Sequence, residues 1–316
     1  MPAAVAPGRI LVTGATGFVG RHLLPVLGRA FPEAVLLTQG FDVADRAATE
    51  AAIGAARPDA VVHLAAVAAI PAARRDPDRA WQVNLHGTLH LARALQTTCP
   101  EATFLFASSA DAYGAAFRAG EPVREDMPLA PLNAYGATKA AADLALGAMA
   151  AEGLRVLRMR PFNHTGSGQS PAFVVAAFAR QAARIRAGLQ PPVLDVGALD
   201  PQRDFLDVDD VCAAYALALR EAPRLEPGVI LNLASGTPRR IGDVLQAVLD
   251  AAGVEAKPRT DAGRLRPTDI PMACGNASRA RALLGWAPAV PWQQTIQAVV
   301  ADWTARVQAG DAEATG

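Results

Sequence analysis

Arg9-Ile10-Leu11-Val12-Thr13-Gly14-Ala15-Thr16-Gly17-Phe18-Val19-Gly20 is a short apolar run, then a glycine-rich turn, then the start of a helical pattern. A continuous apolar run of that length reads as a strand buried on both faces. Glycines at 14, 17 and 20 let backbone come close to a bulky anion. The helix expected over Phe18–Ala30 offers its unpaired N–H groups to the same anion. A glycine turn between strand and helix is the setting in which it means nucleotide binding. The alternation continues, with apolar runs at 34–38, 60–64, 103–107 and 154–159 and helical stretches at 46–56, 78–97 and after the capping residue Asn133. It predicts a parallel sheet covered on both faces, a doubly wound α/β fold.

The pattern shifts after Pro161. Residues 164–204 are rich in Gly, Pro and Arg, with one helix expected over 171–187. Strand and helix return at 205–220, and 229–233 reads as a last strand. We therefore expect a dinucleotide-binding Rossmann domain over 1–163 and 205–235. A smaller α/β substrate domain is expected over 164–204 and 236–316. The 316 residues suit two domains. A formal net charge of zero, with no basic run, gives no electrostatic reason to expect nucleic acid. No stretch approaches the roughly 20 apolar residues of a membrane span, and Met1 to Gly8 lacks the regions of a signal peptide. A cytoplasmic protein is expected. Cys99, Cys212 and Cys274 lie far apart and the five histidines do not cluster, so neither a disulfide framework nor a metal is expected.

Tyr135-Gly136-Ala137-Thr138-Lys139 sets a phenol and an ammonium four residues apart, on one face of a helix. An ammonium beside a phenol favours the phenolate and predicts a Tyr135 pKa below its usual value of about 10. Such a group can exchange a proton with a carbonyl or alcohol during hydride transfer.

The Gly-x-x-Gly-x-x-Gly spacing is followed in order by several further segments. These are His63-Leu64-Ala65-Ala66, Asn84-Leu85-His86-Gly87-Thr88, Ser108-Ser109-Ala110-Asp111-Ala112-Tyr113-Gly114, the Tyr135/Lys139 pair, Arg160-Pro161-Phe162-Asn163 and Arg203-Asp204-Phe205-Leu206-Asp207-Val208-Asp209-Asp210. Order and spacing, held over some two hundred residues, resemble the extended branch of the short-chain dehydrogenases/reductases. The resemblance implies a catalytic triad of Ser109, Tyr135 and Lys139. It implies a cofactor cradle from Gly14, Thr16, Gly17, Phe18, Val19 and Gly20. Leu64, Ala65, Ala66, Asn84 and Pro161 would line the cofactor, with Tyr135 and Lys139 against its nicotinamide end. Asp42 and Val43 resemble an adenine-contacting segment.

Within that branch, residues 160–171 resemble the signature of reductases acting on GDP-4-keto-6-deoxy-D-mannose, with Ser167 where proline is usual. Leu265-Arg266-Pro267-Thr268-Asp269-Ile270-Pro271 resembles their nucleotide-clamping loop. The resemblance implies reduction of a nucleotide-linked 4-keto sugar to GDP-D-rhamnose. Substrate contacts would come from Ser108, Ser109, Asn163, His164, Arg203, Arg266 and Asp269. Asp111 occupies a position where related 4,6-dehydratases carry an acidic base, which leaves a catalytic and a structural role open. His164 likewise suits substrate contact or a satisfied structural hydrogen bond, whereas His63 reads as structural. The run Leu37-Thr38-Gln39-Gly40 has neither the acid typical of NAD enzymes nor an arginine for a 2′-phosphate, and NADPH is favoured over NADH. The alternatives are a 4-epimerase or 4,6-dehydratase with retained NAD and, more distantly, a non-catalytic cofactor-sensing protein. The helices at 78–97 and 133–149 are expected to build a homodimer.

Overall fold

The computed structural model describes residues 6–265 and 270–310. In chain order the first layer comprises β1 (Arg9–Thr13), α1 (Phe18–Ala30), β2 (Val35–Leu37), α2 (Arg46–Ala56), β3 (Ala60–His63) and α3 (Ile70–Arg75). Then α4 (Pro77–Trp81) runs through a π-helical turn, Gln82–Gly87, into α5 (Thr88–Thr98). β4 (Thr103–Ala107), α6 (Ala134–Ala151) and β5 (Val156–Pro161) complete this part. The second part holds β6 (Asn163–Thr165), α7 (Val174–Arg186), β7 (Val193–Val196), β8 (Gln202–Asp207), α8 (Val208–Glu221), β9 (Ile230–Leu233) and β10 (Pro238–Arg240). It ends with α9 (Ile241–Ala252), β11 (Lys257–Thr260), β12 (Met272–Ala273), α10 (Ser278–Leu284) and α11 (Trp292–Gln308).

Six strands form a parallel sheet in the order β2-β1-β3-β4-β5-β9. The period-two rule divides its side chains between two cores. Ile10, Val12, Val62, Leu105 and Met159 face α1 and α8. Leu11, Val61, Phe104, Phe106 and Val156 face α2, α5 and α6. This double coverage is why the strands carry continuous apolar runs. A smaller sheet, β10-β8-β12 with β6 beside β8, and the pair β11-β7 belong to a second unit. There α7, α9 and α11 close over Phe205, Leu194 and Val196.

The sequence-based boundaries move in two places. β8 lies wholly in the small sheet, so the return to the first domain begins with α8 at Val208 rather than at 205. α10 packs back on α8 and β9, placing Ala277, Ala280 and Leu284 in the first core. The helix expected over 78–97 is interrupted by the π-helical turn at Asn84.

One buried carboxylate fastens the sheet to α6. Asp143 is fully buried. It accepts from Ser108 Oγ at 2.6 Å, from Arg160 Nε at 2.9 Å and Nη2 at 2.8 Å, and from Arg158 Nη1 at 3.2 Å. Arg160 goes on to the Tyr113 hydroxyl at 2.9 Å, which donates to Asn232 Oδ1 at 2.7 Å. Both carboxylate oxygens are satisfied, so truncation strands two guanidinium groups in the interior. Asp143→Ala is expected to lower the unfolding free energy by about 3–5 kcal/mol. Urea denaturation should show this as a reduced midpoint at unchanged slope.

Candidate active site

In a doubly wound sheet, ligands sit outside the carboxyl ends of the strands where the strand order reverses. Here the reversal falls at β1 and β3. The ends of β1, β3, β4 and β5 therefore bring Gly14, Leu64, Ser108 and Pro161 to one crevice. α1 begins there with Gly17 as N-cap, no side-chain cap and no acid in its first turn. Its first N–H groups, with Phe18, Val19 and Gly20 in that turn, are left for an anion. Gly14 has φ of 70°, and a Cβ on it would lie 2.7 Å from Ala65 N. No side chain can intrude between the turn and the Leu64-Ala65-Ala66 segment. Thr16 is exposed, and Phe18 and Val19 are half-buried. An uncapped helix start beside a side-chain-free turn fits the pyrophosphate of a dinucleotide.

The catalytic candidates are assembled from β4 and α6. Asn133 caps α6, its Oδ1 accepting from Gly136 N at 2.8 Å. Gly136 lets the 3-10 turn Ala110–Ala112 come close, since a Cβ there would sit 2.6 Å from Asp111 O. In that arrangement the Ser109 hydroxyl acts on the Tyr135 phenol and favours its ionised form. Ser109 Oγ also accepts from Asp111 N at 3.1 Å.

The protonation balance reverses the expectation for Tyr135. Burial, with the Asp111 carboxylate second, pushes the phenol above its ordinary value, and the Ser109 hydroxyl only partly opposes this. Lys139 does not counter the shift. Its Nζ donates to Ala107 O at 2.7 Å and lies 4.9 Å from the centre of the Phe106 ring. Burial lowers its own pKa to about 8, with Asp143 acting the other way. The result is a phenol that stays protonated at neutral pH, as a proton donor requires.

Several residues expected at ligands instead hold the scaffold. Ser108 is buried with its hydroxyl on Asp143. Asn84 is buried, and its amide spans Val67 N at 2.8 Å, Val67 O at 3.1 Å and Thr138 Oγ1 at 2.9 Å. It braces the segment after β3 against α6. Asp42 accepts from Ala44 N and Arg79, and Val43 packs in the core against Gly87. His63 is buried between Thr13 Oγ1 at 2.7 Å and Thr88 Oγ1 at 3.0 Å. Burial and the nearby Lys139 lower its pKa to about 3, so it is neutral and structural.

On the substrate side, Asn163 is exposed at the start of β6, with Nδ2 donating to Asp204 O at 3.3 Å. His164 donates from Nδ1 to Phe162 O at 3.0 Å, and burial lowers its pKa. Its ring stacks on Phe18, 6.3 Å between centres and 5° between planes, joining the glycine turn to the second unit. Arg203 Nη1 donates to Gln202 O at 2.8 Å and Ile270 O at 2.7 Å. Arg266 and Asp269 lie outside the described residues. Sequence reasoning missed Asp143, although its position four residues beyond Lys139 put it on the catalytic helix face. It also missed His22, which joins Asp209 Oδ1 at 2.7 Å and Ser167 O at 2.8 Å and ties α1 to the loop after β6.

Known proteins resemble this chain over nearly its whole length. The model of the NAD dependent epimerase/dehydratase family matches residues 10–234. A GDP-6-deoxy-D-mannose reductase from Pseudomonas aeruginosa is 40% identical over 303 residues, covering 95% of this chain and 98% of that one. A UDP-glucose 4-epimerase from Azospirillum brasilense is 31% identical over 313 residues, covering 90% and 88%. The structure of RMD from Pseudomonas aeruginosa complexed with NADPH superposes with a TM-score of 0.86 at 38% identity, covering 95% of this chain and 99% of that one. A Thermus thermophilus UDP-glucose 4-epimerase complexed with NAD gives 0.80 at 30% identity, covering 93% and 98%.

Tyr135→Phe removes the donor while keeping the ring. Turnover is expected to fall by about 10²–10⁴-fold with the dissociation constant for reduced cofactor within about threefold, measured by stopped flow and fluorescence titration. Lys139 loses its proton at about pH 8 when folded, against the ordinary 10.5 of an unfolded lysine. Between these values the unfolded chain binds more protons, so this group makes ligand-free protein more stable as pH rises from 8 towards 10. Lys139→Met should abolish that rise in urea midpoint.

Proposed function

This chain belongs to the NAD dependent epimerase/dehydratase family, and on that footing we propose that it reduces the C4 ketone of a nucleotide-linked 4-keto-6-deoxy sugar. The substrate is GDP-4-keto-6-deoxy-D-mannose and the product GDP-D-rhamnose. The arrangement that carries the reading sets Ser109 at the end of β4 and Tyr135 on the first turn of α6, with Lys139 one turn further on, at the carboxyl edge of the sheet beside the glycine turn. The near-full-length likeness to the Pseudomonas aeruginosa reductase supports the choice of sugar and base.

The bound nicotinamide cofactor supplies a hydride to C4. The N-terminus of α1 and the Gly14 turn would hold its pyrophosphate, and Lys139 its nicotinamide ribose. Thr38 and Gln39 follow β2 without a carboxylate, so a 2′-phosphate meets no repulsion there and NADPH is preferred over NADH. Ser109 donates to the ketone oxygen, places it and polarises it. Tyr135 delivers the proton to that oxygen as negative charge develops on it. Asp111, beside the phenol, helps to keep it protonated. Asn163 and Arg203 would contact the nucleotide diphosphate and ribose, and the sequence resemblance assigns Arg266 and Asp269 to the same ligand, arginine suiting phosphate oxygens through its planar fork.

The experiment is a reductase assay on GDP-4-keto-6-deoxy-D-mannose with product configuration by NMR. One NADPH oxidised per sugar, with the rhamno product, is expected; unchanged dihydronicotinamide absorbance with both cofactors would overturn the reading. A 4-epimerase with retained NAD, favoured by the epimerase likenesses, would instead interconvert C4 epimers without net cofactor use.

We further propose that the enzyme works in the cytoplasm as a homodimer through α5 and α6. Leu144 on α6 is 61% exposed, and Ala141, Ala145 and Ala148 lie near it on the same helix. Pairing with a second copy would bury that apolar strip in a four-helix contact. No described helix is long and apolar enough to cross a membrane. Light scattering should give twice the chain mass for the parent protein and a monomer for Leu144→Glu; a monomeric parent would refute the dimer.

A further inference from the structure

Asp204 on β8 is a fully buried carboxylate outside the catalytic cluster. Its Oδ1 accepts from Ser235 N at 2.8 Å and Ser235 Oγ at 2.6 Å. Its Oδ2 accepts from Gly236 N at 2.9 Å and Gly275 N at 3.2 Å. Ser235 and Gly236 lie in the turn between β9 and β10, and Gly275 lies just beyond β12. One side chain thus ties the carboxyl edge of the six-stranded sheet to two strands of the small one. Backbone N–H groups can only donate, so both carboxylate oxygens serve as acceptors. Burial raises the pKa of the group above the ordinary carboxylate value, and the Ser235, Gly275 and Gly236 bonds pull against that rise.

The strand pairing at this knot is short. β12 is two residues long, Met272 and Ala273, paired with Gln202 and Arg203 of β8. The contact is prolonged at both ends. Upstream, Gln202 N donates to Pro271 O at 2.7 Å, and Arg203 Nη1 donates to Ile270 O at 2.7 Å. Downstream, the Asp204 carboxylate takes the Gly275 N–H. Gly275 is pressed against the residue that joins β5 to β6, since a Cβ on it would lie 2.4 Å from Phe162 Cε2. The backbone carbonyl of Asp204 in turn accepts from Asn163 Nδ2 at 3.3 Å. Arg203, the arginine that meets the diphosphate in the proposed reaction, therefore sits on a strand whose neighbours β6 and β12 are both bonded through residue 204. Successive side chains on a strand point to opposite faces, so the Asp204 carboxylate lies on the other side of β8 from Arg203. Its four acceptor sites are filled by protein donors, which leaves it no part in holding a ligand directly.

We propose that Asp204 is the positioning residue of the diphosphate subsite: by fastening β8 to β12 and to the turn after β9, it holds Arg203 where it meets the phosphate oxygens, and so sets nucleotide affinity without touching substrate. This role rests on the reading of the substrate as a nucleoside diphosphate sugar contacted by Arg203. Ser109, Tyr135 and Lys139 stand on β4 and α6, which Asp143 fastens independently, so the chemical step is spared.

The test compares the full-length parent with Asp204→Asn, Arg203→Met and the double variant. Asparagine keeps the shape, yet either orientation of its amide turns an NH2 towards a backbone N–H, that of Ser235 on one side or those of Gly236 and Gly275 on the other. By calorimetry, GDP should bind Asp204→Asn about 10- to 30-fold more weakly, with NADPH affinity within about threefold of the parent's. In the assay, KM for the keto-sugar nucleotide should rise by a similar factor, with kcat within about threefold. Because Asp204 acts through Arg203, the double variant should bind GDP within about threefold of Arg203→Met alone. If Asp204→Asn fails to fold by circular dichroism, Ser235→Ala carries the test; it removes one donor to the carboxylate, and about three- to tenfold weaker GDP binding is expected, again without further loss in the Arg203→Met background. GDP affinity equal to the parent's in a folded Asp204 or Ser235 variant overturns the proposal, and so do losses that simply add in the double variant. A parent protein that binds GDP but reduces no keto sugar defeats the proposed reaction instead, and leaves Asp204 to be judged on the calorimetry alone.

Discussion

A single buried carboxylate organises the catalytic side of this molecule. Asp143 joins the end of β4 through Ser108, β5 through Arg158 and Arg160, and α6 through its own backbone. Removing these charges from water is costly unless every lone pair and proton finds a partner. The chain meets that condition by extending the cluster through Tyr113 to Asn232 on β9. Three adjacent strands and the catalytic helix are thereby locked at fixed heights. Ser109, the residue after Ser108, inherits its position from that lock, and so does Tyr135, two turns before Asp143 on the same helix.

The same desolvation that makes the cluster expensive tunes the groups above it. The packing around Tyr135 and the burial of Lys139 drive each towards its neutral form, the phenol upwards and the ammonium down to about 8. A simple pairing of the two would have produced a phenolate. The fold instead points Lys139 at the Ala107 carbonyl and sets Asp111 near the phenol. A site arranged in this way favours giving a proton over taking one, the direction a ketone reduction needs. Asn84 works by similar indirect means: its amide ties the backbone after β3 to Thr138 on α6, so the cofactor-facing segment and the catalytic helix move as one body.

The second unit brings the complementary chemistry. Its small sheet sets Asn163 and Arg203 on the adjacent strands β6 and β8. The stacking of His164 on Phe18 and the bridge from His22 to Ser167 fasten this sheet to the glycine turn. The glycine turn and the small sheet are therefore related through short contacts rather than through a long hinge.

Much of this could be read from the chain alone. β1, α1, α2 and β4 fall at the expected residues because their signals are local: an apolar run, a glycine turn, a 3.6-residue period. A candidate triad could be proposed from the chain because a motif names residue types at fixed spacing. What the spacing could not say is where each side chain would point. Ser108, Asn84 and Val43 sit in motif segments yet turn inward, since burial depends on neighbours far along the chain. The short strands β6, β10 and β12 carry too few residues for a periodic signal, and their pairing with β8 joins segments up to seventy residues apart. The direction of the Tyr135 shift was likewise set by assembly. Its sign depends on how much water the packed domains exclude and on which carboxylate the turn at Asp111 brings near, and neither quantity exists until the chain has folded.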